Sequence, residues 1–259
     1  MSAASLAMQS DDGRMSLVEH LTELRNRIIK IVLAVVVGML ISFILYPQIF
    51  DFLLEPYKHV AQSGQTLGDG KLLILDPLEG FGVRMKLAAY GGIAIAMPVI
   101  LWQIWQFVTP GLYPHERKLA IPFVVSALGL FLLGAGLAYY TLPRALQFLV
   151  QIGGDELVTA FAPSKYFTLI TYMMLAFGIG FEFPILLIFL QMAGIIGVAS
   201  LRRFRRYAIV GICILVAVIT PSGDPISMLM LSVPMVIFYE VAIIAGRVIE
   251  RRRAVGTSA

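Results

Sequence analysis

The sequence predicts an all-α integral membrane protein with six transmembrane helices, and three observations carry that prediction. The 259 residues are 59% hydrophobic and 14% charged, with a mean hydropathy of +0.86, too little polar surface to clothe a soluble globule of this size. The apolar residues fall into long runs separated by short polar, turn-forming segments. The basic residues gather on alternate sides of those runs.

Residues 1–14 hold Ser, Gln, Asp and Gly without an apolar core or a small-residue cleavage site, and are expected to be a disordered cytoplasmic extension. Met15 is as good a start as Met1. From Ser16, Leu17, Leu21, Leu24 and Ile28 recur at helical spacing with Glu19, Glu23, Asn26 and Arg27 opposite, which predicts an amphipathic surface helix running into the first span. That span, residues 28–46, is expected to close at Pro47, ahead of Asp51, Glu55 and an exposed loop with Gly64, Gly68 and Gly70.

The second span is expected over 87–108, with Trp102 and Trp105 in an aromatic belt at its far end. The segment 107–118, FVTPGLYPHERK, follows. Its two prolines, Pro110 and Pro114, and Gly111 forbid a continuous helix, so the flanking runs reverse direction there. The third span covers 119–142, and Pro143 to Lys165 reads as an aqueous loop. The fourth apolar run, 167–198, exceeds the ~20 residues a bilayer needs and is interrupted by Glu182 and Pro184, which predicts a tilt or a kink.

The fifth and sixth runs, 207–219 and 226–239, are short, roughly 20 Å of helix against a hydrocarbon core of ~30 Å. The turn TPSGDP joins them. A re-entrant hairpin has this length, but basic clusters on both flanks favour two crossings with local thinning of the bilayer. One side of six spans then carries fourteen Lys and Arg, from Arg14 through Arg202, Arg203, Arg205 and Arg206 to Arg253, and the other carries six, including Lys58, Arg84, Arg144 and Lys165. The first side, with both termini, is therefore expected in the cytoplasm. A single six-helix domain over 15–250 and a cytoplasmic tail over 251–259 complete the expected organisation.

Chemistry by catalysis finds little support. His20, His59 and His115 are scattered over both sides, no G-x-S-x-G occurs, and His115-Glu116 lacks a second histidine at metal-ligand spacing. Cys213, alone and within an apolar run, suggests neither a disulfide nor a metal site. No enzyme activity, metal or cofactor is expected. The run RRFRR is internal and reads as a topology anchor on anionic lipid, and no nucleic-acid partner is expected.

The carboxylates are more informative. Glu19 and Glu23 stand at i and i+4, a mildly repulsive arrangement that leaves an acidic face open to a cationic partner; the alternative for Glu23 is an ordinary pair with Arg27, also at i+4. Glu182, inside a span, must face a cavity, find a partner or hold a proton. Glu116 stands with Arg117 and Lys118 in the 107–118 loop.

The segments SLVEHLTELRNR at 16–27 and FVTPGLYPHERK at 107–118 together resemble the signature of the TatC family, the multispanning receptor subunit of the twin-arginine protein translocase. AMPVILWQIWQF, FGIGFEFP around Glu182, the TPSGD turn and Phe238-Tyr239-Glu240 extend the resemblance over about 16–251. It implies a curved, glove-like set of six helices that binds paired-arginine signal peptides of folded cargo. It implies that Glu23 and Glu116 are the binding carboxylates, that Phe107, Pro110 and Leu112 shape the site, and that Glu182 lines the concave membrane face. Asp224 and Glu240 match acidic positions of the family and are expected to serve as helix-end or interfacial contacts; Met228 departs from a glutamine found in some relatives. The implied partners are TatA- and TatB-type single-span subunits, signal peptides, the lipid bilayer and further copies within a larger complex. The implied location is the bacterial inner membrane, with the proton motive force as energy source. The main rival is a proton-coupled secondary transporter using Glu182 or Glu240, against which stands the lack of inverted repeats. A structural scaffold would leave the acidic face unexplained.

Overall fold

A computed structural model of the chain describes residues 17–61, 72–74, 76–108, 120–153 and 161–256. They form α1 (Leu17–Ile44), α2 (Tyr46–Ala61), α3 (Glu79–Val108), α4 (Ala120–Ile152), α5 (Pro163–Phe181), α6 (Phe183–Met192), α7 (Val198–Arg203), α8 (Arg205–Ile219) and α9 (Pro225–Gly256), with no strand among the described residues. Five stretches within them are long and apolar enough to cross a membrane: Leu21–Ile44, Glu79–Phe107, Ile121–Ile152, Pro163–Met192, which joins α5 and α6, and Pro225–Glu250. The 15 residues of α8 make a sixth, short apolar helix of about 22 Å.

The expected surface helix and first span are one helix, because nothing between Leu17 and Ile44 breaks the hydrogen-bond ladder except Gly38, which a helix tolerates. Pro47 does not open a loop. It occupies the second position of α2, where a missing N–H costs little, and bonds from Leu45 N to Ile41 O and from Ile49 N to Leu45 O carry the chain round the bend. The helix α2 is an element the apolar runs had not announced: Leu53, Tyr57 and Val60 recur at helical spacing and are buried, and the charges of Asp51, Glu55 and Lys58 had masked that period, while the loop expected over 62–71 lies outside the described residues. Pro56 inside α2 leaves the Phe52 carbonyl without its helical donor, and the Tyr139 hydroxyl supplies one at 2.9 Å. The Tyr166 hydroxyl donates to the Leu53 carbonyl at 2.6 Å. Phe50, Tyr57, Tyr166 and Phe167 form an aromatic cluster with ring centroids 4.8 to 5.4 Å apart, which holds α2 on α5.

Small residues set the closest helix contacts. Gly38 of α1 faces the backbone of Gly92 in α3, Ser42 faces Gly91, and Gly134 of α4 faces Phe177 and Gly178 of α5. A Cβ at any of these glycines would collide with its neighbour, the packing by which helices associate where apolar burial gives no drive. Ser42 Oγ also donates to the Leu87 carbonyl at 3.1 Å.

Three further boundaries differ from expectation. The helix α3 begins at Glu79, and Glu79 Oε1 accepts the Ser164 N–H at 2.9 Å, capping the start of α5. The helix α4 continues through Pro143 to Ile152, where an aqueous loop was expected; the Arg144 guanidinium donates to the Tyr140 carbonyl at 3.3 Å beside the gap the proline leaves in the ladder. The sixth helix is not short. Glu240 is paired with Arg205, and Val241 to Ala245 resume the apolar run, so α9 reaches 32 residues, and only α8 remains short. The kink in the fourth run falls at Glu182, between α5 and α6, where Glu182 N bonds Ile179 O at 3.0 Å, a tightened turn that lets Pro184 follow.

Candidate functional site

One end of the bundle gathers polar residues from α1 and the end of α3. Arg27 is the centre of this cluster. It forms an ion pair with Glu23 Oε1 one turn earlier, with Nε at 3.2 Å, and reaches across to α3, where Nη1 donates to Gln106 Oε1 at 2.9 Å and Nη2 to the Gln106 carbonyl at 3.0 Å. Both partners are largely withdrawn from solvent, with side chains 15% and 23% exposed for Arg27 and Glu23. The planar guanidinium allows this because its donors point in several fixed directions at once.

The ordinary i,i+4 pair weighed for Glu23 is therefore formed, but it engages one oxygen. Glu23 Oε2 is buried and has no hydrogen-bond partner among the described residues. A buried carboxylate oxygen without a donor is costly, so it marks a position where a further donor belongs. Glu19 lies one turn earlier on α1. Phe107, half-buried, is the penultimate residue of α3, directly beyond Gln106. Pro110, Leu112 and Glu116 lie outside the described residues.

Neighbouring side chains add polarity that the sequence reading had not singled out. Gln103, one turn before Gln106, is buried, with Oε1 unpartnered among the described residues. The Q-x-x-Q spacing on one face of an apolar run was the available signal. Trp105 corrects the aromatic-belt expectation: it is 3% exposed and packs on Phe123 at 4.3 Å, inside the core rather than at an interface.

The remaining acidic positions are separate. Glu182 is half-buried at the α5–α6 break, with Oε1 buried and unpartnered among the described residues. Asp224, 1% exposed, is the residue before α9; Oδ1 accepts the Ser227 N–H at 2.7 Å and Oδ2 accepts from Ser222 Oγ, the geometry of an N-terminal cap. Glu240 receives Arg205 through both oxygens, at 2.7 and 2.8 Å, tying α8 to α9. No cluster of three or more potential metal ligands occurs among the described residues.

The fold and this polar cluster define a multi-pass helical membrane protein with a largely buried carboxylate–guanidinium cluster at one end of its bundle. The family model described as Sec-independent protein translocase protein (TatC) matches residues 19–234. A Sec-independent protein translocase protein TatC of Frankia casuarinae is 41% identical over 250 residues, covering 94% of this chain and 69% of that protein. A TatC of Helicobacter pylori strain J99 is 37% identical over 231 residues, 89% of this chain and 88% of its own length. A crystal structure of the twin arginine translocase receptor TatC superposes with a TM-score of 0.74 at 35% identity, over 89% of this chain and 99% of that one. The chain belongs to the TatC family of Sec-independent protein translocase proteins, a family of membrane transport proteins and not of enzymes.

Proposed function

We propose that this chain is the receptor of a twin-arginine translocase and that Glu23 takes one arginine of the signal peptide. The observation that carries this reading is the half-used Glu23 carboxylate: Arg27 holds Oε1, and Oε2 is buried without a partner among the described residues. A guanidinium approaching from the cytoplasm meets an acceptor already held in place, and it offers the paired donors that a lysine lacks. The second arginine goes to Glu116, with Glu19 adding negative potential and Phe107, Pro110 and Leu112 shaping the entry.

In this reading both termini are cytoplasmic, the membrane is the bacterial inner membrane, and the signal's apolar segment then runs along the concave face past Glu182. The bend at Glu182 turns a carboxyl towards single-span partners of the TatA and TatB type, and several copies assemble into one complex driven by the proton motive force. The short α8 thins the bilayer beside them.

Site-specific photocrosslinking of a twin-arginine signal peptide to the protein in membranes tests the proposal. Crosslinks at both cytoplasmic motifs are expected, and are expected to disappear with Glu23→Ala, with Glu116→Ala and with a double-lysine signal. Crosslinking unchanged by all three changes would overturn it.

A further inference from the structure

Two cavities lie one above the other on the seam between α2 and α4, at the end of the bundle opposite the Arg27 cluster. The outer one, about 470 Å³, is lined by polar and aromatic side chains that include Glu55, His59, Tyr140 and Arg144. The inner one, about 350 Å³, is almost wholly apolar and is lined from α2 through α5 by residues such as Ile49, Ala94, Leu132 and Met174. One helical turn separates them on each wall. Phe52 lines the inner cavity and Tyr139 the outer, and their rings stack at 4.5 Å and 9° between the two.

We propose that this pair of cavities binds one membrane phospholipid, with its phosphate at Arg144 in the outer cavity and an acyl chain in the inner one. The Arg144 guanidinium stacks on the Tyr140 ring, 4.3 Å from its centroid, and donates to the Tyr140 hydroxyl at 2.8 Å. These contacts fix its plane but leave its charge uncompensated, because Arg144 has no carboxylate partner among the described residues. A planar cation held on an aromatic face, with donors to spare, matches a phosphate diester. Glu55 on the opposite wall, already paired with Lys58 at 3.0 Å, retains acceptor capacity for a headgroup ammonium.

The inner cavity selects the tail. A flexible hydrocarbon chain adapts its shape to an apolar cavity of about 350 Å³, with no backbone polar groups to satisfy. A soluble anion would use Arg144 and leave the apolar cavity unoccupied. The Tyr139 hydroxyl bond to the Phe52 carbonyl holds the stacked rings in place, so the two compartments keep a fixed spacing, as headgroup and tail do in one lipid. The site lies away from the signal-binding cluster and is independent of the receptor reading.

The experiment is native mass spectrometry of the delipidated full chain in detergent, titrated with dioleoyl phosphatidylethanolamine. One retained lipid per chain is expected. Arg144→Gln and Ala94→Trp, which fills the inner cavity from α3, are each expected to lower its occupancy on the order of tenfold. Arg144→Lys, which keeps the charge and loses the stacked planar fork, restores only part of it, and Lys165→Gln, a cation outside both cavities, leaves it unchanged. Circular dichroism confirms that each variant remains helical, and Leu132→Trp replaces Ala94→Trp should the latter fail to fold. Equal lipid retention by the native chain, Arg144→Gln and the tryptophan variant would overturn the proposal. So would displacement of the lipid by glycerophosphoethanolamine, which has the headgroup and no tails, since the acyl chain would then contribute nothing.

Discussion

Arg27 and Gln106, seventy-nine residues apart, are joined by two hydrogen bonds from one guanidinium, at 2.9 Å to the side-chain oxygen and 3.0 Å to the backbone carbonyl. This link fixes the end of α3 against the helix that carries Glu23. The same arginine pairs with Glu23, so one side chain both orients the carboxylate and ties α1 to the end of α3.

Arg27→Ala is therefore expected to damage the site more than its distance from a ligand would suggest. It strips a largely buried carboxylate of its partner, and the loss of charge-assisted bonds costs about 1.5–3 kcal/mol. Arg27→Lys should recover only part of that, because an ammonium cannot span Glu23 and both Gln106 oxygens. Thermal unfolding in detergent, with a disulfide probe between α1 and the end of α3, checks both; equal stability for the two variants would remove the fork as the reason.

Asp224→Ala removes the cap that satisfies the Ser227 N–H at the start of α9. A loss of about 1 kcal/mol, within the usual range for caps, is expected in chemical unfolding. Asp224→Asn should cost less, since its amide oxygen still accepts that bond. A larger loss for asparagine than for alanine would point to a role for the charge itself.

Gly92→Val places a branched side chain where Met39 and the α1 backbone already stand. Overpacking costs typically about 1–3 kcal/mol, and here the obstacle is backbone, which yields least. The variant is expected to accumulate poorly in membranes, while Gly129→Val, where a Cβ meets nothing within 4 Å, is expected to accumulate normally. Blotting of membrane fractions separates the two outcomes.

Arg205 and Glu240 make a two-pronged pair, yet their side chains are 46% and 38% exposed. Exposed pairs contribute about 0–1 kcal/mol, so Glu240→Gln should shift unfolding little. If transport across membranes nevertheless falls with Glu240→Gln, the residue acts on a partner and not on the fold.

A helical turn inserted in α8 tests bilayer thinning. The insertion brings 15 residues to about 19, near the length a bilayer needs. Transport is expected to fall with signal-peptide crosslinking retained; unchanged transport would show that the short helix has no such role.

The sequence by itself determined the class. Long apolar runs cannot be hidden in a soluble fold, and the breaks at Glu182 and around Pro221 and Pro225 follow from local chemistry, so both turned up where residue types placed them. The site was legible in part: Glu23 and Arg27 declare their pairing by spacing along one helix. What pairwise spacing cannot reveal is a contact between distant segments. Only the tertiary structure decided that Arg27 reaches Gln106, that Trp105 turns inward to Phe123, and that Tyr139 and Tyr166 satisfy carbonyls on α2. It also decided that α2 is a helix and that α4 and α9 run on past Pro143 and Glu240. In each case a charge or a proline ended the apolar pattern; a donor or counter-ion from another helix supports α2 and α9, and in α4 Arg144 of the same helix donates beside the gap.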